Sequence, residues 1–344
     1  MSESTKNSKI LDMRVGVKID VAPLDSVVIP AYNCAEFIAD ALDSALAQTF
    51  KNYEILLVND GSPDTEKLET VLENYFDKII YIRQKNGGTA VARNTAIENA
   101  RGEFLAFLDG DDVWLPEYLE AQLKAIAAKN CDLIYADAKL FGNLRDKSET
   151  YMVKSPSSGA VTTESLLSGQ CNVITSGTVV RRAKVLAVGK FNAELPQIVS
   201  EDFDLWFQLA KSGACLDYQK RVLLKYRVSQ TGLSGSNVKR AERSVAVFKS
   251  VEKKYELTAA EKEKLQTHLD FALAELEIEK GKYNLLQKNF VEASANFREA
   301  NKYYRKLKFS AFASLLKVKP ELALKLFKRM RPAEVAFISP KDFD

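Results

Sequence analysis

The feature that most constrains this chain is an alternation in its first third. Apolar runs of four to six residues are each followed by Pro, Gly, Asn or Asp, and then by an amphipathic stretch. Residues 26–30 (Ser-Val-Val-Ile-Pro), 54–59, 79–82 and 104–108 have the length and composition of buried strands. Between the first two, residues 35–48 set Phe37, Ile38, Ala41, Leu42, Ala45 and Leu46 at helical spacing; residues 68–76, 89–99 and 115–128 also read as helices. Strands alternating with helices predict an α/β fold, a mainly parallel sheet flanked by helices on both faces. Ligands of such sheets bind beyond the carboxyl ends of the strands. Chemistry is therefore to be sought just after each run.

The four run ends read Pro30-Ala31-Tyr32-Asn33, Asn59-Asp60-Gly61-Ser62, Lys85-Asn86-Gly87-Gly88 and Asp109-Gly110-Asp111-Asp112. A base can stack on Tyr32, and the Asp60 carboxylate can accept an N–H from a pyrimidine ring. Gly87-Gly88 opening a helix lets backbone approach a diphosphate, with Arg93 as a fixed cation. Asp109 and Asp111 offer hard oxygen ligands to a divalent cation that bridges phosphates. Each piece alone has an ordinary structural reading. Asp-Gly-Ser-Pro is a common turn, Asp111-Asp112 can cap the next helix, and Gly87-Gly88 can be a plain loop. Their succession at four strand ends is what argues for a site.

Composition narrows the chemistry. The single histidine is His268, far down the chain, so acid–base or metal chemistry in the first 250 residues must use carboxylates. Cys34, Cys131, Cys171 and Cys215 are too widely spaced for a zinc ribbon and read as free buried thiols rather than a disulfide framework. No apolar run approaches the roughly 18–20 residues that span a bilayer. Residues 1–24 show no periodicity and no apolar core of a secretory signal, so they read as a loose leader of a cytoplasmic chain.

Residues 27–33, 58–64, 86–94 and 101–114 resemble the sequence blocks of family 2 glycosyltransferases of the GT-A fold. Asn-Gly-Gly-Thr-Ala-Val-Ala-Arg-Asn and Arg-Gly-Glu-Phe-Leu-Ala-Phe-Leu-Asp-Gly-Asp-Asp carry most of the likeness, which extends through Ser200-Glu201-Asp202-Phe203-Asp204-Leu205-Trp206 and fades near residue 235. The resemblance implies inverting transfer of a sugar from a nucleotide-diphosphate donor, usually a UDP-sugar, assisted by Mg2+ or Mn2+. The acceptor would be a glycan or lipid-linked hydroxyl, as in polysaccharide biosynthesis. It implies that Pro30, Tyr32 and Asp60 hold the nucleobase and that Asn86 and Arg93 grip the nucleotide. Asp111 would be the main metal ligand, with Asp109 assisting or touching the ribose. Asp202 would be the catalytic base, and Glu201 would orient the site or contact the acceptor. Members often carry a histidine shortly after a Tyr-Arg pair; here Tyr226-Arg227-Val228-Ser229 has serine. Capping of a helix start by Glu201 and Asp202 is the structural alternative. A catalytically inactive relative that recruits partners through its C-terminal helices is the alternative function. A nucleotidyltransferase is less favoured, because a glycine- and lysine-rich N-terminal phosphate loop is missing.

The chain divides into the leader 1–24, a glycosyltransferase-like domain 25–238 and a helical basic region 239–344. In the last, Leu269, Ala272, Leu273 and Leu276 fall at helical spacing, and Gly281, Ala293, Phe297 and Ala300 match a tetratricopeptide unit. The Ala-x-x-x-Phe step repeats at Ala323 and Phe327, while Asn284 stands where an aromatic is expected. A helical hairpin packed on the enzyme is the competing reading. Residues 302–331 hold ten basic side chains against one acid, Glu321, within a chain of net charge +3. Two readings stay open for this segment: an anionic membrane surface at the inner leaflet as partner, or a solvated charged face. Nucleic acid is disfavoured by the acidic remainder of the chain.

Overall fold

A computed structural model describes residues 10–16, 22–142, 149–195, 200–228 and 237–330. Two compact units are present. The first contains β1 (Ile10–Val15), β2 (Asp25–Ala31), α1 (Ile38–Leu46), β3 (Tyr53–Asp60), α2 (Thr65–Leu72), β4 (Ile80–Gln84), α3 (Thr89–Asn99), β5 (Phe104–Phe107) and β6 (Val113–Trp114). It continues with α4 (Tyr118–Lys129), β7 (Leu133–Gly142), α5 (Tyr151–Lys154), α6 (Thr163–Leu167), a 3-10 turn at Thr175–Gly177, β8 (Thr178–Arg181), α7 (Arg182–Ala187), α8 (Glu201–Lys211) and β9 (Leu216–Val228). One sheet joins all nine strands in the order β1-β4-β3-β2-β5-β8-β7-β9-β6.

The four apolar runs form its parallel core, β4-β3-β2-β5. Val27, Val28, Ile29, Leu56, Leu57 and Leu105 are fully buried there, as helices on both faces require. The remainder is mixed: β8 runs antiparallel to both β5 and β7, whereas β9 is parallel to β7. Because the four core strands are parallel, their carboxyl ends share one rim, and all four predicted polar clusters lie along it.

The leader expected over residues 1–24 contains a strand. β1 pairs antiparallel with β4 at the sheet edge, matching Met13 with Ile82 and Val15 with Ile80. Leu11, Met13 and Val15 stay exposed, so no buried face existed to impose a readable alternation. Arg14 completes the attachment by lying over the Phe76 ring, 4.6 Å from its centroid.

The second unit is helical: α9 (Asn237–Lys254), α10 (Ala259–Leu286), α11 (Phe290–Tyr304), α12 (Leu307–Val318) and α13 (Pro320–Met330). α9 already begins at Asn237, so the boundary expected at 238–239 falls inside its first turn. The residues that suggested a tetratricopeptide unit do pack together. A side chain at Gly281 would meet the Phe297 ring at 3.2 Å, so the missing Cβ lets α11 close onto α10. Ala293, Phe297, Ala313, Leu316, Ala323 and Leu324 form a core of this unit's own. Asn284 donates to Asn296 Oδ1 at 2.9 Å, a polar substitute for the expected aromatic contact.

Candidate active site

The first wall of the site is the turn after β2. Tyr32 presents its ring to solvent, 54% exposed directly after the buried Ala31 that ends β2. Asn33 adopts a left-handed conformation, φ 51°, and its amide donates to Ser62 Oγ at 2.6 Å. Ser62 Oγ in turn bonds the Asp64 carboxylate, which also accepts from the Ala35 amide at 2.9 Å. The loops after β2 and β3 are thereby locked together.

Asp60 is buried and already engaged. Its Oδ1 accepts from Gln84 Nε2 at 2.6 Å and the Gly87 amide at 2.9 Å, and its Oδ2 accepts from the Gly88 amide at 2.7 Å. A carboxylate offers about four acceptor positions, so a single position on Oδ2 remains for a ligand N–H. The structure thus gives Asp60 a second job beyond the one its sequence context suggested: it shapes the glycine loop. Gly88 has φ +87°, which only glycine adopts without strain, and Gly61 approaches so closely that a Cβ would lie 2.7 Å from the Asn86 nitrogen. Asn86 is exposed beside this contact, and Pro30 is half-buried at the end of β2.

Arg93, expected to help grip the nucleotide, holds two carboxylates through the terminal nitrogens of its guanidinium. Nη2 donates to Asp109 Oδ1 at 2.6 Å and Nη1 to Glu201 Oε1 at 2.8 Å. The side chain is buried and sits over the Phe191 ring at 5.4 Å. Burial opposes its charge, but Asp109, Glu201 and Asp202 more than offset this and hold the proton on. Arg93 therefore joins residues of two predicted clusters, the acids after β5 and those opening α8.

Three carboxylates crowd the loop after β5. Burial, and then Asp109, push Asp111 up to about 6. Asp112 is fully buried and raised further, again by burial first and its two acidic neighbours second. Its Oδ1 accepts from the Arg227 amide at 2.7 Å. Arg227 itself is wedged between the Phe37 and Phe141 rings, at 4.3 and 4.4 Å, and donates from Nε to the Asp111 carbonyl at 2.8 Å. Ser229, which replaces the family's histidine, lies outside the described residues.

α8 opens with Glu201, Asp202 and Asp204 in its first turn, where backbone N–H groups favour negative charge. Glu201 is raised above its ordinary range by burial, with Arg93 pulling the other way. Asp202 Oδ2 accepts from Thr175 Oγ1 at 2.8 Å, and its Oδ1 accepts from the Phe203 amide at 2.8 Å.

With this geometry, known proteins can be compared. The pattern described as Glycosyl transferase family 2 matches residues 26–185. An uncharacterized glycosyltransferase of Rickettsia typhi is 34% identical over 246 residues, covering 68% of this chain and 73% of that protein. The chain belongs to glycosyl transferase family 2. A further family relative is the Escherichia coli UDP-Glc:α-D-GlcNAc-diphosphoundecaprenol β-1,3-glucosyltransferase WfgD, 31% identical over 222 residues, 64% of this chain and 83% of that one. Other relatives are much longer: the match to an uncharacterized glycosyltransferase of Rickettsia felis, 36% identical over 211 residues, takes in 60% of this chain but 34% of that protein. Among solved structures, a Pyrobaculum calidifontis mannosyltransferase in complex with GDP-Man and Mn2+ matches with a TM-score of 0.57 at 18% identity, covering 91% of this chain and 89% of that one. At that identity the likeness concerns the fold, and the fold is GT-A.

Among the described residues, no three His, Cys, Asp or Glu side chains form a metal cage. The donor set nevertheless suits a hard divalent cation. Asp109 and Asp111 present hard carboxylate oxygens whose mutual repulsion such an ion would relieve. Two residues of this family member escaped sequence reasoning, Thr175 and Ser176. Ser176 Oγ accepts from the Asp109 amide at 3.0 Å, and its carbonyl accepts from Trp114 Nε1 at 2.8 Å. A Thr-Ser-Gly turn carries no local signature, and its partners are distant in sequence.

Proposed function

We propose that this chain is an inverting glycosyltransferase, moving a sugar from a UDP-sugar to a hydroxyl of a glycan or lipid-linked acceptor. The observation that carries the reading is the Arg93 bridge, which holds a donor-side carboxylate and an acceptor-side carboxylate on one guanidinium. Tyr32 stacks on the base, and Asp60 accepts its N–H through the remaining position on Oδ2. The backbone of Gly87 and Gly88 lies against the diphosphate, with Pro30 and Asn86 bounding the pocket.

Asp111, with Asp109, would hold a divalent cation. When bound, that ion supplies charge stabilisation to the departing diphosphate without a proton. Asp202 accepts the acceptor hydroxyl's proton at one of its carboxylate oxygens, a contribution of roughly 10²–10⁴-fold. A single base on the face opposite the leaving group gives inversion. Glu201 stays tied to Arg93 and orients the acceptor side. The name of the Escherichia coli relative supports both UDP-linked donor and lipid-diphosphate acceptor.

UDP release across a panel of UDP-sugars with Mn2+ tests this. Asp202→Asn should bind UDP with near-normal affinity and lose transfer. An active Asp202→Asn beside an inactive Glu201→Gln would move the base to Glu201; no UDP binding and no turnover with any donor would point to an inactive relative.

The finer partner in this reading is an anionic membrane surface under the basic helices. α13 leaves Leu322, Leu326 and Met330 exposed at i, i+4, i+8, beside Lys325, Lys328 and Arg329. Interfacial insertion of the apolar stripe and attraction of about 1 kcal/mol per cation to anionic lipid would act together. Among the described residues no helix is long and apolar enough to cross a membrane. Pelleting with anionic but not neutral vesicles, lost in a Lys325→Glu/Lys328→Glu/Arg329→Glu variant, is the expected result. Equal and negligible pelleting with both vesicles would remove the membrane.

A further inference from the structure

We propose that Thr175 is a positioning residue for the transfer reaction. Its hydroxyl sets the orientation of the Asp202 carboxylate, and its turn ties that carboxylate to the acid-bearing loop after β5. The inference rests on the reading of Asp202 as the base.

The 3-10 turn Thr175–Gly177 is buried and held from several sides. Gln122 Nε2 donates to the Gly177 carbonyl at 2.7 Å, and the Trp114 indole donates to the Ser176 carbonyl at 2.8 Å. A Cβ on Gly177 would lie 2.9 Å from Ile174 Cγ2 and 3.1 Å from the Ala136 carbonyl, so the turn is wedged against β7. From this fixed piece two hydroxyls reach in different directions. Thr175 Oγ1 donates to Asp202 Oδ2 at 2.8 Å, while Ser176 Oγ accepts from the Asp109 amide at 3.0 Å. The base and the donor-side loop are thus referenced to adjacent residues.

This frame differs from the Arg93 bridge, which joins Asp109 to Glu201. Arg93 fixes the neighbour of the base; the turn fixes the base. Arg93, Glu201 and Tyr151 are ionisable groups whose fields couple to Asp202, and the Phe203 amide holds its other oxygen, Oδ1, at 2.8 Å. Without the Thr175 hydroxyl the carboxylate loses its tie to the turn and spends less time with an oxygen aimed at the acceptor hydroxyl, which lowers turnover without changing how the donor binds.

Thr175→Val keeps the volume and the β-branch and removes the hydroxyl. With UDP-glucose and UDP-N-acetylglucosamine as donors and UDP release as readout, kcat should fall about tenfold or more while donor KM stays within about twofold. Thr175→Ser should recover activity to within about threefold. Calorimetry with UDP should give wild-type affinity, and a crystal structure of Thr175→Val should show the Asp202 carboxylate rotated from its present position. Wild-type kcat in Thr175→Val, an unmoved Asp202 in its crystal structure, lost UDP affinity, or failure of the serine variant to recover would each overturn the proposal. Asp202→Asn run in parallel separates the two levels. If it remains active, the base reading falls; if it is dead while Thr175→Val is normal, only the role of Thr175 falls.

Discussion

The two units place their charges in opposite ways. In the sheet unit, Asp25, Glu54, Asp60, Arg93 and Asp112 are all buried. Four of the five have polar partners drawn from distant sequence, such as Arg101 and Ser26 on Glu54. In the helical unit the buried layer is almost wholly apolar, and charges pair one turn apart on a helix, as exposed Lys302 with Glu299 and half-buried Lys282 with Glu279, both at 2.7 Å. Glu261 is the charged side chain buried there among the described residues, and it serves a capping box with Thr258. One unit accepts the cost of dehydrating charge where chemistry needs it. The other is stabilised by apolar packing and by charge pairs formed within single helices.

Asp111→Asn should break the comparison most sharply. It should lower turnover by orders of magnitude, since an amide is a poor ligand for a hard cation, while the urea midpoint holds or rises because burial already opposes this charge. Near-normal turnover that EDTA still abolishes would remove Asp111 from the metal site.

Arg93→Met comes next. It strands Asp109 and Glu201, and a loss of about 2–4 kcal/mol in urea unfolding is expected, below that of a fully buried pair because both carboxylates are partly exposed. Turnover should fall with it. An unchanged midpoint would show that the bridge adds nothing to stability.

Asp25 tests burial without function. It opens β2, at the end of the sheet away from the site, and neither carboxyl oxygen makes a well-formed hydrogen bond. Burial raises it to about 7, the amides of Ser26 and Ala106 offsetting this only in part. Because the folded value lies above the unfolded one, stability falls as pH rises from about 4 through about 7. Asp25→Asn should therefore stabilise the protein by on the order of 2–4 kcal/mol at pH 8 and by far less at pH 4, with turnover unaffected. A pH-independent difference would contradict a buried neutral acid.

The smallest effect belongs to the helical unit. Thr258→Ala removes a capping hydroxyl that accepts from the Glu261 amide at 3.2 Å, and about 1 kcal/mol should be lost with turnover unchanged. A larger loss would mean that α10 depends on more than its local cap.

Legibility followed the same division. The parallel core was readable because buried runs and turn residues coincide with strand ends, and Asp60, Asp109 and Asp111 stood out for the same reason; Glu201 and Asp202, which open α8, stood out only through the family resemblance. β1 was not readable, because an edge strand with Leu11 and Met13 in solvent has no buried face to record. Arg93 was readable as a cation but not by its partners, one of which is 108 positions away.

The sequence by itself determined the order of strands and helices in the core, the family, and the acids that gather on one rim. Those depend on burial period and turn chemistry, which are local. The tertiary structure decided who holds whom: Arg93 between Asp109 and Glu201, the Arg227 amide on Asp112, Thr175 on Asp202. Such bonds form only after the sheet has brought β5, β9 and α8 to the same edge. Their selection rests on the cost of leaving a buried charge or hydroxyl unpaired, which no pattern along the chain records.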